Sequence, residues 1–140
     1  VALTACGTTE DPATAPTGDD EPAAAEGTGG AEGPVTVTDE RGEVTLDAPA
    51  QDVVSLEWGL TENLLSLGVV PVGQADVEGY NTWNTVVPLE GDVADVGFRG
   101  EPSLEAIAAL DADLVVTTTD LPEDVIAQIE EQVPVIAVRG

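Results

Sequence analysis

The larger part of this sequence predicts an α/β fold, a three-layer sandwich in which helices cover both faces of a mostly parallel sheet. Three observations carry that expectation. Short β-branched runs recur at Val53–Leu56, Val69–Gly73, Leu114–Thr117 and Val135–Val138. Stretches with apolar residues at helical spacing stand between them. The runs are near-continuously apolar, as strands buried on both sides must be.

That domain begins late. Residues 7–33 consist of Gly, Ala, Pro, Thr and acids with nothing apolar larger than Ala, so no burial offsets the entropy of ordering them. Seven acids without a base extend the segment further, and the expectation is a disordered acidic linker. Its glycine run fails as a nucleotide loop, because Glu32 stands where the third glycine of G-x-G-x-x-G belongs and no strand precedes it. Ahead of the linker, Leu3-Thr4-Ala5-Cys6-Gly7 resembles the lipobox of bacterial lipoproteins, in which the Cys becomes the lipidated N-terminus. Residues 1–6 are then the remnant of a signal peptide, and a lipid on Cys6 is the membrane anchor. A stray free Cys is the plain alternative.

From residue 34 each element follows from local pattern. Val35–Thr38 and Glu43–Leu46 alternate apolar and polar about Asp39-Glu40-Arg41-Gly42, a β-hairpin. After the strand at Val53–Leu56, a helix is expected over roughly Leu60–Leu67, with Leu60, Leu64 and Leu67 on one face and Gly68 as the stop. Val69–Gly73 is a second strand, followed by a long loop from Gln74 to about Ala94. Ser103 caps a helix whose Leu104, Ile107 and Ala108 face inward. Beyond the strand at Leu114–Thr117, Pro122 opens a helix with Val125, Ile126 and Ile129 buried, and Pro134 separates it from the last strand. The chain lacks an initiating Met and stops directly after a strand, so the reading is of a processed and incomplete domain over 34–140.

Composition narrows the chemistry. There are 28 acids against three Arg, no Lys and no His, for a formal charge of −25 and a pI near 4.1. Nucleic acid is an unsuitable partner, since phosphate neutralisation needs clustered cations. The absence of His removes the usual general base, the Ser-His and Cys-His pairs and the commonest zinc ligand, so no protein metal site is expected. With no phosphate loop and no convincing carboxylate dyad, the expectation is a protein that is not an enzyme. No segment approaches the ~20 apolar residues of a spanning helix.

The four aromatics, Trp58, Tyr80, Trp83 and Phe98, all lie in or beside connections that follow strands. Open parallel sheets bind ligands beyond the carboxyl ends of their strands, so these side chains suggest a recognition rim. Plugging loop ends into the core is the alternative. Arg99 sits among them and suits an oxygen-rich ligand through forked hydrogen bonds and ring stacking. Pairing with a surface carboxylate is the competing role.

Two segments resemble iron-siderophore substrate-binding proteins of ABC transporters, specifically the ferric-hydroxamate type: Val53-Val54-Ser55-Leu56-Glu57-Trp58 through Gly73, and Asp95-Val96-Gly97-Phe98-Arg99-Gly100-Glu101-Pro102-Ser103-Leu104-Glu105 through Val116. The resemblance covers residues 35–140. It implies a bilobed periplasmic-binding-protein-like fold joined by one long helix, of which 34–140 is the N-terminal lobe and the second lobe is absent. It places Trp58, Tyr80, Trp83 and Arg99 toward the ligand. Hydroxamate-binding members offer an Arg between the Tyr and Trp of the loop; Asn81 stands there in this chain, so that contact does not carry over. Glu105 matches the place where relatives present a carboxylate to the permease. As a residue off the inward face of its helix, it is expected to be exposed.

The expected function is therefore capture of an Fe(III)-siderophore complex and its delivery to an ABC permease for iron uptake. The protein would be a lipid-anchored monomer at the extracytoplasmic face of the bacterial cell membrane. Iron stays coordinated by the siderophore. Haem or a cobalamin-like corrinoid is the alternative ligand on the same fold. Residues 34–140 hold 21 acids and three Arg, which favours neutral or cationic iron complexes over anionic catecholates at long range.

Overall fold

In the computed structural model, which describes residues 32–140, the chain runs β1 (Val35–Thr38), β2 (Glu43–Leu46), β3 (Val53–Ser55), α1 (Trp58–Ser66), β4 (Gly73–Gln74), α2 (Val77–Trp83), β5 (Ala94–Asp95), β6 (Gly97–Phe98), β7 (Glu101–Pro102), α3 (Leu104–Ala108), β8 (Leu114–Thr118), α4 (Glu123–Glu130) and β9 (Val135–Val138). Cys6 and all but the last two residues of the expected linker lie outside the described residues. Five strands form one wholly parallel sheet in the order β5-β4-β3-β8-β9.

The near-continuous apolar strands have the expected cause. Val54, Leu56, Val115, Val135 and Ala137 point to a cluster completed by Ile107 of α3 and Ile126 and Ile129 of α4. Their neighbours Val53, Leu114, Val116 and Ile136 point the other way, toward Leu46 and Val44 of the hairpin and Leu64 of α1. With period two in the strands, each residue serves one face, and both faces are covered by other elements.

The hairpin docks its turn on the outer edge of β9. Asp39 accepts from the Arg41 and Gly42 amides through Oδ1 and from the Ala137 amide at 2.8 Å through Oδ2, while the Glu40 amide donates to the Ala137 carbonyl. Arg41 forks onto both oxygens of Glu130. An edge that would otherwise expose unpaired backbone groups is thereby occupied.

Several expectations need correction. Helix α1 starts at Trp58, two residues before the first Leu of its stripe, because Glu57 in extended conformation caps it and accepts from the Trp58 amide. Leu67 is the C-cap and is exposed, although Gly68 does stop the helix with φ +80. The second strand shrinks to Gly73–Gln74 because Pro71 has no amide to donate; Val72 makes the first bond, to the Val53 carbonyl. The expected loop after Gln74 contains α2 and ends in a fifth strand, β5. Helix α3 buries Ile107 and partly Leu104 and Ala106, whereas Ala108 is exposed.

Candidate functional site

Successive strands β3, β4 and β5 are laid down in one direction across the sheet, and β8 and β9 in the other. After β3 the chain turns to the α1 face, and after β8 to the α4 face. Two adjacent parallel strands whose connections part to opposite faces leave a crevice at their carboxyl ends, the switch point at which open sheets take ligands. A concavity of about 270 Å³ occupies this place, lined by Glu57, Arg99, Gly100, Thr117, Thr118, Asp120 and Leu121. Enclosing an organic ligand takes roughly 300–1,000 Å³, so this concavity is too small to close around one. A concavity of about 260 Å³ between α3 and α4, lined by Ile107, Ala108, Asp111 and Gln132 among others, carries no aromatic or cation.

Arg99 reaches the crevice from the β6–β7 turn. That turn starts at Gly97, whose φ of +98 suits glycine. A Cβ there would stand 3.0 Å from the Glu101 carbonyl oxygen and the Ser103 amide nitrogen. Asp95 fixes the approach, accepting from the Gly97 amide at 2.8 Å and from the Val77 amide at 3.0 Å, so one carboxylate ties β5, α2 and the Arg99 turn together.

The guanidinium lies over the Trp58 ring, Cζ 4.3 Å from the centroid, and its Nη1 is 3.2 Å from Glu57 Oε2. Arg99 therefore takes up the competing role, pairing with a carboxylate, while it stacks on an aromatic of its own chain. With the Arg99 and Glu57 side chains 44% and 27% exposed, the ion pair contributes at most about 1 kcal/mol; its weight is in orientation. Trp58 also meets the Tyr80 ring edge-on, centroids 6.2 Å apart and planes at 86°.

Tyr80 requires a correction. It is 0% exposed, and its hydroxyl donates to the Val87 carbonyl at 2.7 Å, so its ring and hydroxyl are both engaged inside the chain. Burial, with the nearby Glu62 charge, pushes the phenol above its ordinary value and keeps it a neutral donor. Tyr80 buttresses Trp58 and pins the loop after α2; it does not present a face to a ligand. Trp83, one turn on, is 76% exposed and Phe98 is 69% exposed, and neither is among the residues that line the crevice. Glu105 is exposed in the first turn of α3, behind the Ser103 cap.

The sequence reading missed Glu57, Thr117, Thr118 and Asp120 as crevice residues. Their signal is their place directly after β3 and at the end of β8, visible only once those strands are known to be neighbours. Three buried side-chain atoms among the described residues lack a protein partner: Trp58 Nε1 and both amide atoms of Gln74, which is fully buried on β4. No group of three or more His, Cys, Asp or Glu side chains among the described residues is placed to hold a metal ion.

The Trp58–Arg99 stack thus stands beside the switch-point crevice of a parallel α/β sheet, the place where open sheets of this class take ligands. No protein-family model matches the chain. It is 44% identical over 64 residues to the iron(3+)-hydroxamate-binding protein FhuD of Escherichia coli K12, covering 46% of this chain and 22% of that protein. It is 30% identical over 104 residues to the Fe(3+)-citrate-binding protein YfmC of Bacillus subtilis 168, covering 74% and 33%. The crystal structure of the iron uptake ABC transporter substrate-binding protein PiuA of Streptococcus pneumoniae superimposes with a TM-score of 0.63 at 26% identity, covering 76% of this chain and 37% of that one. By sequence and fold the chain is a relative of the iron-siderophore substrate-binding proteins of ABC transporters. It spans between about a fifth and two fifths of the length of these relatives.

Proposed function

We propose that this chain forms one wall of a ferric-siderophore site in an extracytoplasmic solute-binding protein that delivers its cargo to an ABC permease. The observation that supports the reading is Arg99, which lines the switch-point crevice while stacked on the neighbouring Trp58 ring. A chelated iron complex presents outward a shell of apolar groups and chelator oxygens. The first suits an indole face and the second a guanidinium fork. Iron keeps the chelator's ligands, so the protein supplies shape and hydrogen bonds, and no catalytic step is needed. The wall's small volume is consistent with a second lobe closing over the complex.

Trp83 and Phe98 would add apolar area at the mouth of the site. Glu105, exposed and not among the crevice residues, is suited to meet permease cations; Glu105→Ala should leave ligand affinity unchanged and reduce uptake of the iron complex by cells, and normal uptake would exclude the role. A lipid on Cys6 would tether the protein at the membrane, testable by mass spectrometry of the mature N-terminus. The function itself is tested by titrating the full-length protein with a panel of ferric siderophores, haem and cobalamin while following tryptophan fluorescence. Saturable quenching by at least one ferric siderophore is expected; quenching by haem or cobalamin alone would refute the reading.

A further inference from the structure

Arg99, Glu57 and Asp120 line the same crevice, one cation with two carboxylates. Glu57 is already committed to Arg99 at 3.2 Å, and it reaches Arg99 from the position that caps α1 beside the stacked indole. The cation is therefore balanced before a ligand arrives. Exposed Asp120 on the β8 side leaves the crevice with a net negative charge. Arg99 still has N–H groups to offer ligand oxygens from its exposed side, but without an unbalanced positive charge behind them.

We propose that Glu57 is a specificity-determining residue of the siderophore site. By neutralising Arg99 it biases the crevice toward neutral and cationic ferric complexes and against polyanionic ones. This rests on the ferric-siderophore reading above and names the charge class of its ligand. A bare Arg stacked on Trp58 would attract a polyanionic complex strongly. The same Arg held by Glu57 and faced by Asp120 repels it once the chelator's oxygens come near the carboxylates. Two unit charges ~8 Å apart in a water-like medium interact by about 0.5 kcal/mol before screening, and salt cuts that by about half or more. Removing one carboxylate should thus change affinity by less than about threefold for each unit of ligand charge. Between a monocationic and a trianionic complex the selectivity ratio shifts by roughly fivefold.

The test uses the full-length protein, with a monocationic ferric trihydroxamate and a trianionic ferric tris-catecholate as probes. Glu57→Gln keeps an oxygen that can accept from the Trp58 amide while removing the charge, so the helix cap survives. Wild-type protein should favour the cationic probe, and the preference should weaken as salt is raised. Glu57→Gln should move the ratio about fivefold toward the anionic probe. Asp120→Asn, on an exposed loop, should move it in the same direction and serves if Glu57→Gln fails to fold. Tighter wild-type binding of the tris-catecholate overturns the proposal, as does a ratio unmoved by both variants while binding persists. Wild-type protein that binds neither probe nor any other ferric siderophore refutes the functional reading itself, a different outcome.

Discussion

Replacing Tyr80 by Phe separates a residue that supports the site from one that touches the ligand. The substitution keeps the edge-on contact with Trp58 at 6.2 Å and removes only the hydroxyl that donates to the Val87 carbonyl at 2.7 Å. A net hydrogen bond of this kind contributes about 0.5–1.5 kcal/mol. Val87 is half-buried, so its carbonyl can regain water, and the expected loss lies near the middle, at about 1 kcal/mol. Tyr80→Ala removes a fully buried ring as well and should cost about 3–5 kcal/mol. Equilibrium urea unfolding of the full-length protein, followed by tryptophan fluorescence, reads both losses. Affinity for the bound ferric complex should fall less than about threefold in Tyr80→Phe, corresponding to under about 0.7 kcal/mol. A variant with unchanged stability and affinity reduced about tenfold or more would show that the hydroxyl faces the ligand, and the buttress argument would be wrong.

Asp39 should give the fold an acid-sensitive step. Burial alone would raise its carboxyl, but the Ala137, Arg41 and Gly42 amides and the Arg41 charge outweigh that and hold it below its ordinary value of 3.8. A carboxyl depressed in the folded state stabilises fully above the unfolded value, and that contribution disappears as pH falls below about 4 toward the folded value. Asp39→Asn should flatten this part of the stability-versus-pH curve and cost about 1–2 kcal/mol at neutral pH; an unchanged acid limb would show that the hairpin clasp on β9 contributes little. Gly97→Ala forces a Cβ to 3.0 Å from two backbone atoms at a φ of +98. It should cost about 1–3 kcal/mol and weaken ligand binding by displacing Arg99, and a variant of wild-type stability and affinity would contradict the assigned turn.

The layers were legible in the sequence because burial on two faces imposes continuous apolar runs, and Val53–Leu56, Leu114–Thr117 and Val135–Val138 show them. Helix α2 was not legible, because Val77-Glu78-Gly79-Tyr80-Asn81-Thr82-Trp83 has no apolar stripe and depends on Asp76, in a left-handed conformation, accepting from the Gly79 amide. Trp58 and Arg99 could be picked out as an aromatic and a rare cation following strands. Their stacking could not, because it joins two segments 41 residues apart through a turn set by Gly97 and Asp95. Tyr80 was misread for a related reason: an aromatic in a loop looks the same in sequence whether it faces outward or plugs inward. Strand order, which no local pattern encodes, was needed to place Thr117, Thr118 and Asp120 opposite Glu57.

The central claim is that Arg99 over Trp58 forms the ligand platform, and the affinity of the full-length Arg99→Ala protein for its tightest-binding ferric siderophore tests it most directly. Arg99 is 44% exposed and its ion pair contributes little to stability, so unfolding should be nearly unchanged. Loss of a charged hydrogen bond to the ligand, about 1.5–3 kcal/mol, should weaken binding by roughly tenfold to a hundredfold. Affinity equal to wild type in a folded Arg99→Ala protein would contradict the account.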